Sequence, residues 1–333
     1  MHVATMLNGG YMAAGEPMAS VLFIKTSSLG DVIHHMPAIV EARRRRPDAR
    51  FAWVVEEAFA PLVRLHPAVD EVLAVASRRW RHAMLSPATW REARAFRRAV
   101  RARSYDAVID TQGLLRTAVI SGLARGRRHG YDAASIREPL ASRFYEVRHR
   151  VSRDLHAIER NRTLTGLALG YAPDGAIDFG LDRGALAGAA SSPFAILLHA
   201  TAREDKQWPE ARWIALGRAL AARGLELQCP WGTDAERQRS ERIAAAIPGA
   251  RALDRLPLDA LARHIAAAQF VIGVDTGLLH LAAALRVPLV GIFVGSEPGL
   301  TGPKGQGPIA IVGGKGALPE VDEARAALDG LDG

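Results

Sequence analysis

The chain has 333 residues, of which 49% are hydrophobic and 23% charged, a balance typical of a globular protein with room for two domains. Its single cysteine, Cys229, excludes an internal disulfide framework and fits a reducing cytoplasm. The net charge of +8 is uneven, because residues 1–165 hold 27 Lys/Arg and 16 Asp/Glu, a net of +11, and the rest carry −3. The basic half predicts an anionic partner such as nucleic acid, phospholipid or acidic glycolipid, unless it is only a solvated arginine-rich surface.

Residues 1–19 lack the apolar core and basic start of a signal peptide, so we interpret them as an extension before the first strand. Met18 is a natural start, which makes residues 1–17 a disordered tail or a start-site artefact. Residues 270–295 are strongly apolar but contain Asp275, His280 and Arg286. These charges favour a buried strand-helix-strand unit over a membrane span.

Short apolar runs alternate with helical patterns from residue 20 onward. This alternation predicts a parallel sheet covered by helices on both faces. The predicted strands are 20–25, 51–55, 71–76 and 106–110, and the predicted helices are 31–46, 57–65, 88–103 and 114–124. Residues 77–87 are interpreted as a basic loop and residues 137–168 as further helices.

A stretch rich in Gly, Ala, Asp and Ser at 170–192 is the predicted linker, after which the alternation restarts. The second set of predicted strands is 194–199, 225–229, 270–274 and 288–293, with helices at 209–223, 234–246, 257–267 and 277–285. The sequence therefore predicts an α/β protein with two doubly wound domains, 20–169 and 193–330. Two such domains in tandem place their ligand-binding edges across a cleft.

The segment 25–31, Lys-Thr-Ser-Ser-Leu-Gly-Asp, joins the first strand to the first helix. A Gly-containing polar loop at this place is where α/β proteins bind ligands. Asp31 lies in the first helical turn, where N–H groups and the helix dipole favour its ionised form. It is a candidate general base, although it can equally serve only as a helix cap.

A second segment, 274–281, Val-Asp-Thr-Gly-Leu-Leu-His-Leu, again joins a strand to a helix. Asp275 or Thr276 can cap this helix, and Gly277 leaves its first N–H groups open. Such a helix start is a good phosphate site. The alternative is a capped core helix, which explains Gly277 and His280 less well.

Two further loops follow strands in the second half. In the first, Lys206 can neutralise a diphosphate leaving group, or it is merely an exposed lysine, which by itself is the more ordinary reading. In the second, Glu236 can accept hydrogen bonds from ribose hydroxyls, and on local pattern alone we favour a simple charge in the first helical turn.

Several familiar motifs are absent from the sequence. It has no G-x-G-x-x-G and no G-x-x-x-x-G-K-[ST], which argues against a dinucleotide dehydrogenase or a P-loop enzyme. It has no C-x-x-C, and His34 and His35 are not part of a recognisable pattern of metal ligands, so we expect no metal site. The D-x-D pair that clamps metal in one class of sugar-nucleotide enzymes is also missing.

Eight segments, taken in chain order, resemble those of lipopolysaccharide heptosyltransferases. They are 25–32, 53–57, 78–81, 105–113, 137–142, 199–209, 230–232 and 274–281. The Lys-Thr-Ser-Ser spelling of the first segment favours the type I branch, because type II enzymes typically have Gly-Pro-Ser there.

The resemblance implies a GT-B fold, in which the first Rossmann-like domain binds the acceptor and the second binds the nucleotide sugar. It implies inverting, metal-independent transfer of L-glycero-D-manno-heptose from ADP-heptose to Kdo of Kdo-lipid A, with no cofactor. Asp31 would be the base, beside Ser28 and Gly30. The implied donor residues are Thr201, Lys206, Glu236, Leu256, Asp275, Thr276, Gly277 and His280.

Arginines of the basic half are the acceptor candidates, with a generic basic surface as the alternative for each. They are Arg78, Arg79, Arg81, Arg137 and Arg143. The implied location is the cytoplasmic face of the inner membrane, with peripheral contact to anionic lipid. Position 202 is Ala, where the family often has a second hydroxyl residue, so one phosphate contact can be missing.

Rival functions stay open at this stage. One is heptosyltransferase II or another GT-B glycosyltransferase, and another is a noncatalytic nucleotide-binding module. A specific nucleic-acid-binding protein is disfavoured, because aromatic residues make up only 6% and no recognition element is visible.

Overall fold

A computed structural model of the chain describes residues 19–188, 192–201 and 203–331. The predicted extension before residue 19 and the substitution at Ala202 lie outside these residues. The chain divides into two compact units between Ala176 and Ile177, inside the segment predicted as a linker. No helix of the described part is long and apolar enough to cross a membrane.

The amino-terminal unit is a parallel sheet with helices packed on it. Its strands are β1 (Ser20–Ile24), β2 (Arg50–Glu56), β3 (Glu71–Val75), β4 (Ser104–Asp110), β5 (Arg125–Tyr131) and β6 (Val147–His149). Its helices are α1 (Leu29–Arg45), α2 (Ala60–Val63), α3 (Ser77–His82), α4 (Pro87–Arg101), α5 (Leu115–Leu123) and α6 (Ala157–Leu169), with 3-10 turns at Glu57–Phe59 and Pro139–Phe144.

The carboxy-terminal unit repeats this architecture. Its strands are β7 (Phe194–Leu198), β8 (Glu226–Cys229), β9 (Arg251–Ala252), β10 (Phe270–Val274), β11 (Leu289–Phe293) and β12 (Ile309–Gly313). Its helices are α7 (Arg183–Leu186), α8 (Glu210–Ala221), α9 (Asp234–Ala245), α10 (Leu258–Ala267), α11 (Gly277–Ala284), α12 (Pro298–Thr301) and α13 (Val321–Asp329), with a 3-10 turn at Glu204–Lys206.

Both sheets have the strand order of a dinucleotide-binding fold. Within the described residues the orders are β3-β2-β1-β4-β5-β6 and β12-β11-β10-β7-β8-β9, with every pair parallel. In each sheet the order reverses between the first and the fourth strand of the unit. Ligands of open α/β sheets bind at this reversal, beyond the carboxyl ends of the strands. The first unit therefore directs attention to the ends of β1 and β4, and the second to those of β7 and β10.

Central strands form the core because they are apolar throughout. Val21–Ile24 of β1 and all five residues of β7, β10 and β11 are buried. Helices shield both faces of such a sheet, so near-continuous apolar runs are expected in it. The predicted central strands and the main helices of both units are confirmed to within a few residues.

Some predicted boundaries are wrong. Residues 77–82 form helix α3 rather than a loop, because the indole of Trp80 packs edge-on against Phe96 and anchors the turn. Residues 137–168 contain a 3-10 turn and strand β6 before the single helix α6, not a run of helices. Strand β5, Arg-Gly-Arg-Arg-His-Gly-Tyr, lacks an apolar pattern and was not predicted.

Candidate functional site

Hydrogen bonds from the loop between β1 and α1 hold one carboxylate oxygen of Asp31. The Ser28 backbone N–H and the Ser28 hydroxyl both donate to Asp31 Oδ2, at 2.8 and 3.1 Å. Asp31 Oδ1 lies 3.9 Å from Lys25 Nζ, and the side chain is 38% exposed. The carboxylate thus serves the helix start, as its capping position predicts, while Oδ1 lies beside the Lys25 ammonium in a partly exposed side chain.

Lys25 is a buried cation at the end of β1. Its ammonium donates to the carbonyl oxygen of Thr111 at 3.1 Å and to Asn161 Oδ1 at 3.5 Å. Burial lowers the pKa of Lys25, whereas the nearby carboxylates of Asp31 and Asp110 raise it. The lysine therefore places a positive charge beside the candidate base. Its hydrogen bond to Thr111 connects the end of β1 to the end of β4.

Asp110 ends β4 and is fully buried next to this loop. It accepts a hydrogen bond from the Tyr145 hydroxyl at 2.7 Å and from the Gln112 and Gly113 N–H groups at 2.9 and 3.2 Å. Burial raises the pKa of Asp110, and these hydrogen bonds oppose that rise. Asp110 orders the loop after β4, but its burial keeps it away from any acceptor.

Gln112 connects that loop to the one containing Asp31. Its Oε1 accepts from the backbone N–H groups of Thr26 and Ser27, at 3.1 and 3.2 Å. The Arg116 guanidinium donates to the Ser27 hydroxyl at 2.6 Å. These contacts fix the backbone that leads to Asp31, which is the kind of support that a reactive group needs.

The five candidate acceptor arginines differ in whether their guanidinium groups are already bound to carboxylates. All five are exposed, but Arg79 donates to Glu57 at 3.0 and 2.9 Å and to Glu92 at 3.2 Å. Hydrogen bonds to Glu57 and Glu92 raise the pKa of Arg79 above its ordinary value. The Arg78 backbone N–H donates to the buried Glu56 carboxylate at 3.0 Å, which leaves its guanidinium on the surface. Arg79 is thus committed to holding α3 in place.

In the second unit, Asp275 is the centre of a compact polar cluster at the end of β10. Lys206 Nζ lies 2.6 Å from Asp275 Oδ2, and the Ser296 hydroxyl donates to the same oxygen at 2.6 Å. Burial works against the charge, but the hydrogen bonds from Lys206 and Ser296 hold the pKa of Asp275 below its ordinary value. The carboxylate is therefore ionised at neutral pH.

Two more predicted residues join this cluster. The Thr201 hydroxyl donates to the Asp275 carbonyl oxygen at 3.0 Å, and His280 Nε2 lies 4.0 Å from Asp275 Oδ1. Thr276 occupies the N-cap position of α11 with extended backbone, and Gly277 is the first helical residue. The carboxyl ends of β7 and β10 thus bring a lysine, two hydroxyls and the start of a helix together, a combination suited to phosphate.

Glu236 and Leu256 lie on other loops of the same unit. Glu236 Oε2 accepts from the N–H groups of Gly232 and Thr233, at 2.7 and 3.0 Å, and so fixes the start of α9. Leu256 is half-buried beside a groove of about 420 Å³ whose wall includes Ala260 and Arg263.

Comparison with known proteins identifies the family. A model of glycosyltransferase family 9 (heptosyltransferase) matches residues 93–328. The chain is 44% identical over 306 residues to lipopolysaccharide heptosyltransferase 1 of Salmonella typhimurium, covering 91% of this chain and 96% of that protein. It is 44% identical over 294 residues to lipopolysaccharide heptosyltransferase 1 of Pseudomonas aeruginosa, covering 87% and 83%.

The chain belongs to glycosyltransferase family 9.

Solved structures agree with this assignment. The E. coli heptosyltransferase WaaC with ADP is similar at a TM-score of 0.88 and 39% identity, covering 93% of this chain and 99% of that one. E. coli heptosyltransferase II shares the fold alone, at a TM-score of 0.76 and 18% identity over 94% and 100% of the chains. The resemblance to heptosyltransferases, the GT-B fold and the prediction of a glycosyltransferase are confirmed.

This family 9 chain contains site residues that the sequence pattern did not single out. Lys25 and Gln112 lie within the first and fourth of the eight segments without a predicted role, yet both hold the Asp31 loop. Ser296 belongs to no predicted motif. It lies three residues after the end of β11, the strand beside β10, and polar residues after neighbouring parallel strands meet at one sheet edge, so its position was an available signal.

Proposed function

We propose that the chain transfers L-glycero-D-manno-heptose from ADP-heptose to Kdo of Kdo-lipid A during synthesis of the lipopolysaccharide inner core. The observation that carries this proposal is the arrangement of Asp31, whose Oδ2 is anchored at the helix start while Oδ1 lies beside Lys25 in a partly exposed side chain. The relatives named above are support, since they are named lipopolysaccharide heptosyltransferase 1 at 44% identity.

In the proposed reaction, Oδ1 of Asp31 takes the proton from a Kdo hydroxyl. The hydroxyl oxygen forms a bond to the anomeric carbon of heptose as the bond from that carbon to the diphosphate breaks. The electron pair of the broken bond leaves with ADP, from the opposite face of the sugar, so the anomeric configuration inverts. Ser28 and Gly30 would line the acceptor side of the base, and the hydrogen bonds from Ser28 orient the carboxylate toward the helix start.

The second unit would stabilise the leaving group. Lys206, the Thr201 hydroxyl and the N–H groups of Thr276 and Gly277 would bind the diphosphate, whose charge grows as the bond breaks. Asp275 and His280 would orient heptose or diphosphate. Structures of the E. coli enzyme with ADP and with ADP-2-deoxy-2-fluoro heptose, at 39% and 38% identity, are consistent with a nucleotide-sugar donor of this kind.

The outer parts of both substrates would meet residues farther from the chemistry. Glu236 would bind ribose through the carboxylate oxygen that does not hold the α9 start, and Leu256 would contact adenine. Arg78, Arg81, Arg137 and Arg143 would bind the phosphates and carboxylates of the acceptor. The location we propose is the cytoplasmic face of the inner membrane, where lipid A would be presented to the basic half of the chain.

Product analysis tests the proposal. The purified chain is incubated with ADP-heptose and either Kdo-lipid A or the same acceptor that already carries one heptose. We expect ADP release and a product heavier by one heptose only with the unmodified acceptor. Transfer only to the heptosylated acceptor would assign the chain to the second heptosyltransferase step, and ADP binding without transfer to either would indicate a noncatalytic nucleotide-binding module.

A further inference from the structure

Three large apolar side chains are exposed together after helix α3. Leu85 is 99% exposed, Met84 62% and Trp90 56%, the highest exposures among the large hydrophobic residues of the described chain. Single exposed apolar residues are common and need no explanation. Three within seven positions, with the two most exposed adjacent, form a projecting apolar tip, which we call the 84–90 tip.

Hydrogen bonds hold this tip in a defined shape. The Ala83 N–H donates to the Trp80 carbonyl at 3.1 Å, and the Ser86 N–H donates to the Ala83 carbonyl at 3.0 Å. The indole N–H of Trp90 donates to the Met84 carbonyl at 2.8 Å. The loop is therefore closed on itself and still directs Leu85 outward, instead of folding it back onto the sheet.

Helix α4, which follows the tip, presents a basic outer face. Its exposed side chains include Arg91, Arg94, Arg97 and Arg98, whereas Thr89, Phe96 and Val100 are buried. Positions 90, 94 and 97 are spaced by four and three residues and so lie on one side of the helix.

The acidic residue of α4 does not offset this charge. The Glu92 carboxylate accepts hydrogen bonds from Arg79 at 3.2 Å and from the Trp80 indole at 2.8 Å. These bonds direct it toward α3, and the charge of the adjacent Arg91 also acts on it. The exposed face of α4 is left strongly positive.

The helix that leads to the tip starts at the same edge of the sheet as the candidate base. Helix α3 begins directly after the carboxyl end of β3, and the Asp31 loop begins after the carboxyl end of β1. These strands are separated only by β2, so their ends are roughly 10 Å apart. Helix α3 thus connects the sheet edge that holds the Asp31 loop to the tip.

We propose that the 84–90 tip inserts into the headgroup region of an anionic lipid bilayer while the arginines of α4 bind lipid phosphates. Tryptophan beside aliphatic side chains, followed by arginines, matches the layered chemistry of a membrane interface, which is apolar inside and negatively charged outside. A protein partner is less well matched, because four solvated arginines beside the tip would all need acidic partners. The inference rests on the proposed function in one respect, namely that the acceptor is carried by a lipid.

Vesicle binding tests the inference without any substrate. We compare vesicles of phosphatidylcholine alone with vesicles that also contain phosphatidylglycerol, by cosedimentation. The wild-type chain should cosediment with the anionic vesicles and much less with the neutral ones. Met84→Ser/Leu85→Ser should bind them at least about tenfold more weakly, and Arg94→Gln/Arg97→Gln/Arg98→Gln about 10²-fold more weakly.

The matched control is Leu300→Ser/Leu318→Ser, which removes two exposed leucines of the second unit and should bind vesicles as the wild type does. The tip variant and the α4 arginine variant should both also retain wild-type turnover on an acyl-free Kdo acceptor in solution and lose it on acceptor embedded in vesicles. Absence of turnover by the wild type on either acceptor would count against the proposed function, while the vesicle result would still stand by itself.

Several results would overturn the inference. One is equal vesicle binding by the wild type and by the tip and α4 arginine variants. Another is equal binding of the wild type to neutral and anionic vesicles. A third is wild-type self-association, measured by sedimentation velocity, that Met84→Ser/Leu85→Ser abolishes while vesicle binding is unchanged, because the tip would then be a protein–protein contact.

Discussion

Lys206 Nζ lies 2.6 Å from Asp275 Oδ2 and joins the loop after β7 to the end of β10. The lysine is therefore held at the predicted diphosphate site by its ion pair with Asp275. Its ammonium has three donors, so it can keep Asp275 and still bind a phosphate oxygen. Removing the lysine should therefore have two separate effects. The ligand loses a positive charge, and Asp275 loses an ion-pair partner.

Replacement of Lys206 by Met should lower kcat/KM by about 10²-fold or more, because one stabiliser of the growing diphosphate charge is lost. ADP affinity should fall as well, which calorimetry can measure. Ser296→Ala is the control, since it removes another hydrogen bond of Asp275 but no positive charge. An equal loss in the two variants would show that the order of Asp275, not the lysine charge, sets the rate.

Replacement of Asp31 by Asn should reduce the single-turnover rate by about 10²–10⁴-fold, the usual contribution of a positioned base. The amide oxygen can still accept the Ser28 N–H, so the start of α1 should persist. ADP affinity and the thermal transition should stay close to those of the wild type. Near-normal turnover of this variant would make Asp31 a helix cap only.

The neighbouring arginines Arg79 and Arg81 should behave differently. Arg81→Gln should raise the KM for the acceptor more than that for ADP-heptose, because its exposed charge is available to an anion. Arg79→Gln should chiefly lower the thermal transition, since it frees Glu57 and Glu92 near α3. Steady-state kinetics with each substrate varied, together with thermal melting, distinguish the two effects. Equal rises in both KM values for Arg81→Gln would argue against an acceptor role.

The stability of the amino-terminal unit should depend on a buried histidine pair. His129 Nδ1 and His149 Nε2 are 3.1 Å apart on the adjacent strands β5 and β6. Burial lowers the pKa of His129 to about 3 and that of His149 to about 4. The unfolded chain binds these protons below its ordinary histidine pKa of about 6.5, but the folded chain does not. Acid therefore favours unfolding.

Between about pH 6.5 and pH 4, the free energy of unfolding should fall by up to about 1.4 kcal/mol per pH unit for each histidine. Denaturant unfolding at several pH values measures this slope. His129→Gln/His149→Gln should flatten it. His199→Gln is a useful comparison, because burial lowers the pKa of His199 to about 4 in the other unit. An unchanged slope in the double variant would place the acid sensitivity elsewhere.

The sequence predicted the elements whose burial is continuous. Strands β1, β7, β10 and β11 are apolar along their length and were recognised. Strand β5 was not, since its buried end consists of His129, Gly130 and Tyr131. A Cβ at Gly130 would lie 2.3 Å from the Tyr145 ring, so the glycine allows a close tertiary approach that no local pattern reveals.

The candidate site was predictable where two strands end at the same sheet edge. Thr201, Lys206 and Asp275 meet because β7 and β10 are neighbours. The hydrogen-bond partners of individual side chains were not predictable, because those partners lie far away in the sequence. Arg79 is taken up by Glu92 of another helix, and Ser296 reaches Asp275 from the end of β11.

Asp31 and Glu236 are held at their helix starts in the same way. In each, a single carboxylate oxygen accepts two hydrogen bonds from the preceding loop. Such a side chain has lost its rotational freedom when its helix forms, before any sugar is bound. The entropy of orienting the group is then a cost of folding rather than a part of the activation barrier. In the proposed reaction, only the incoming hydroxyl and the donor would still need to be aligned.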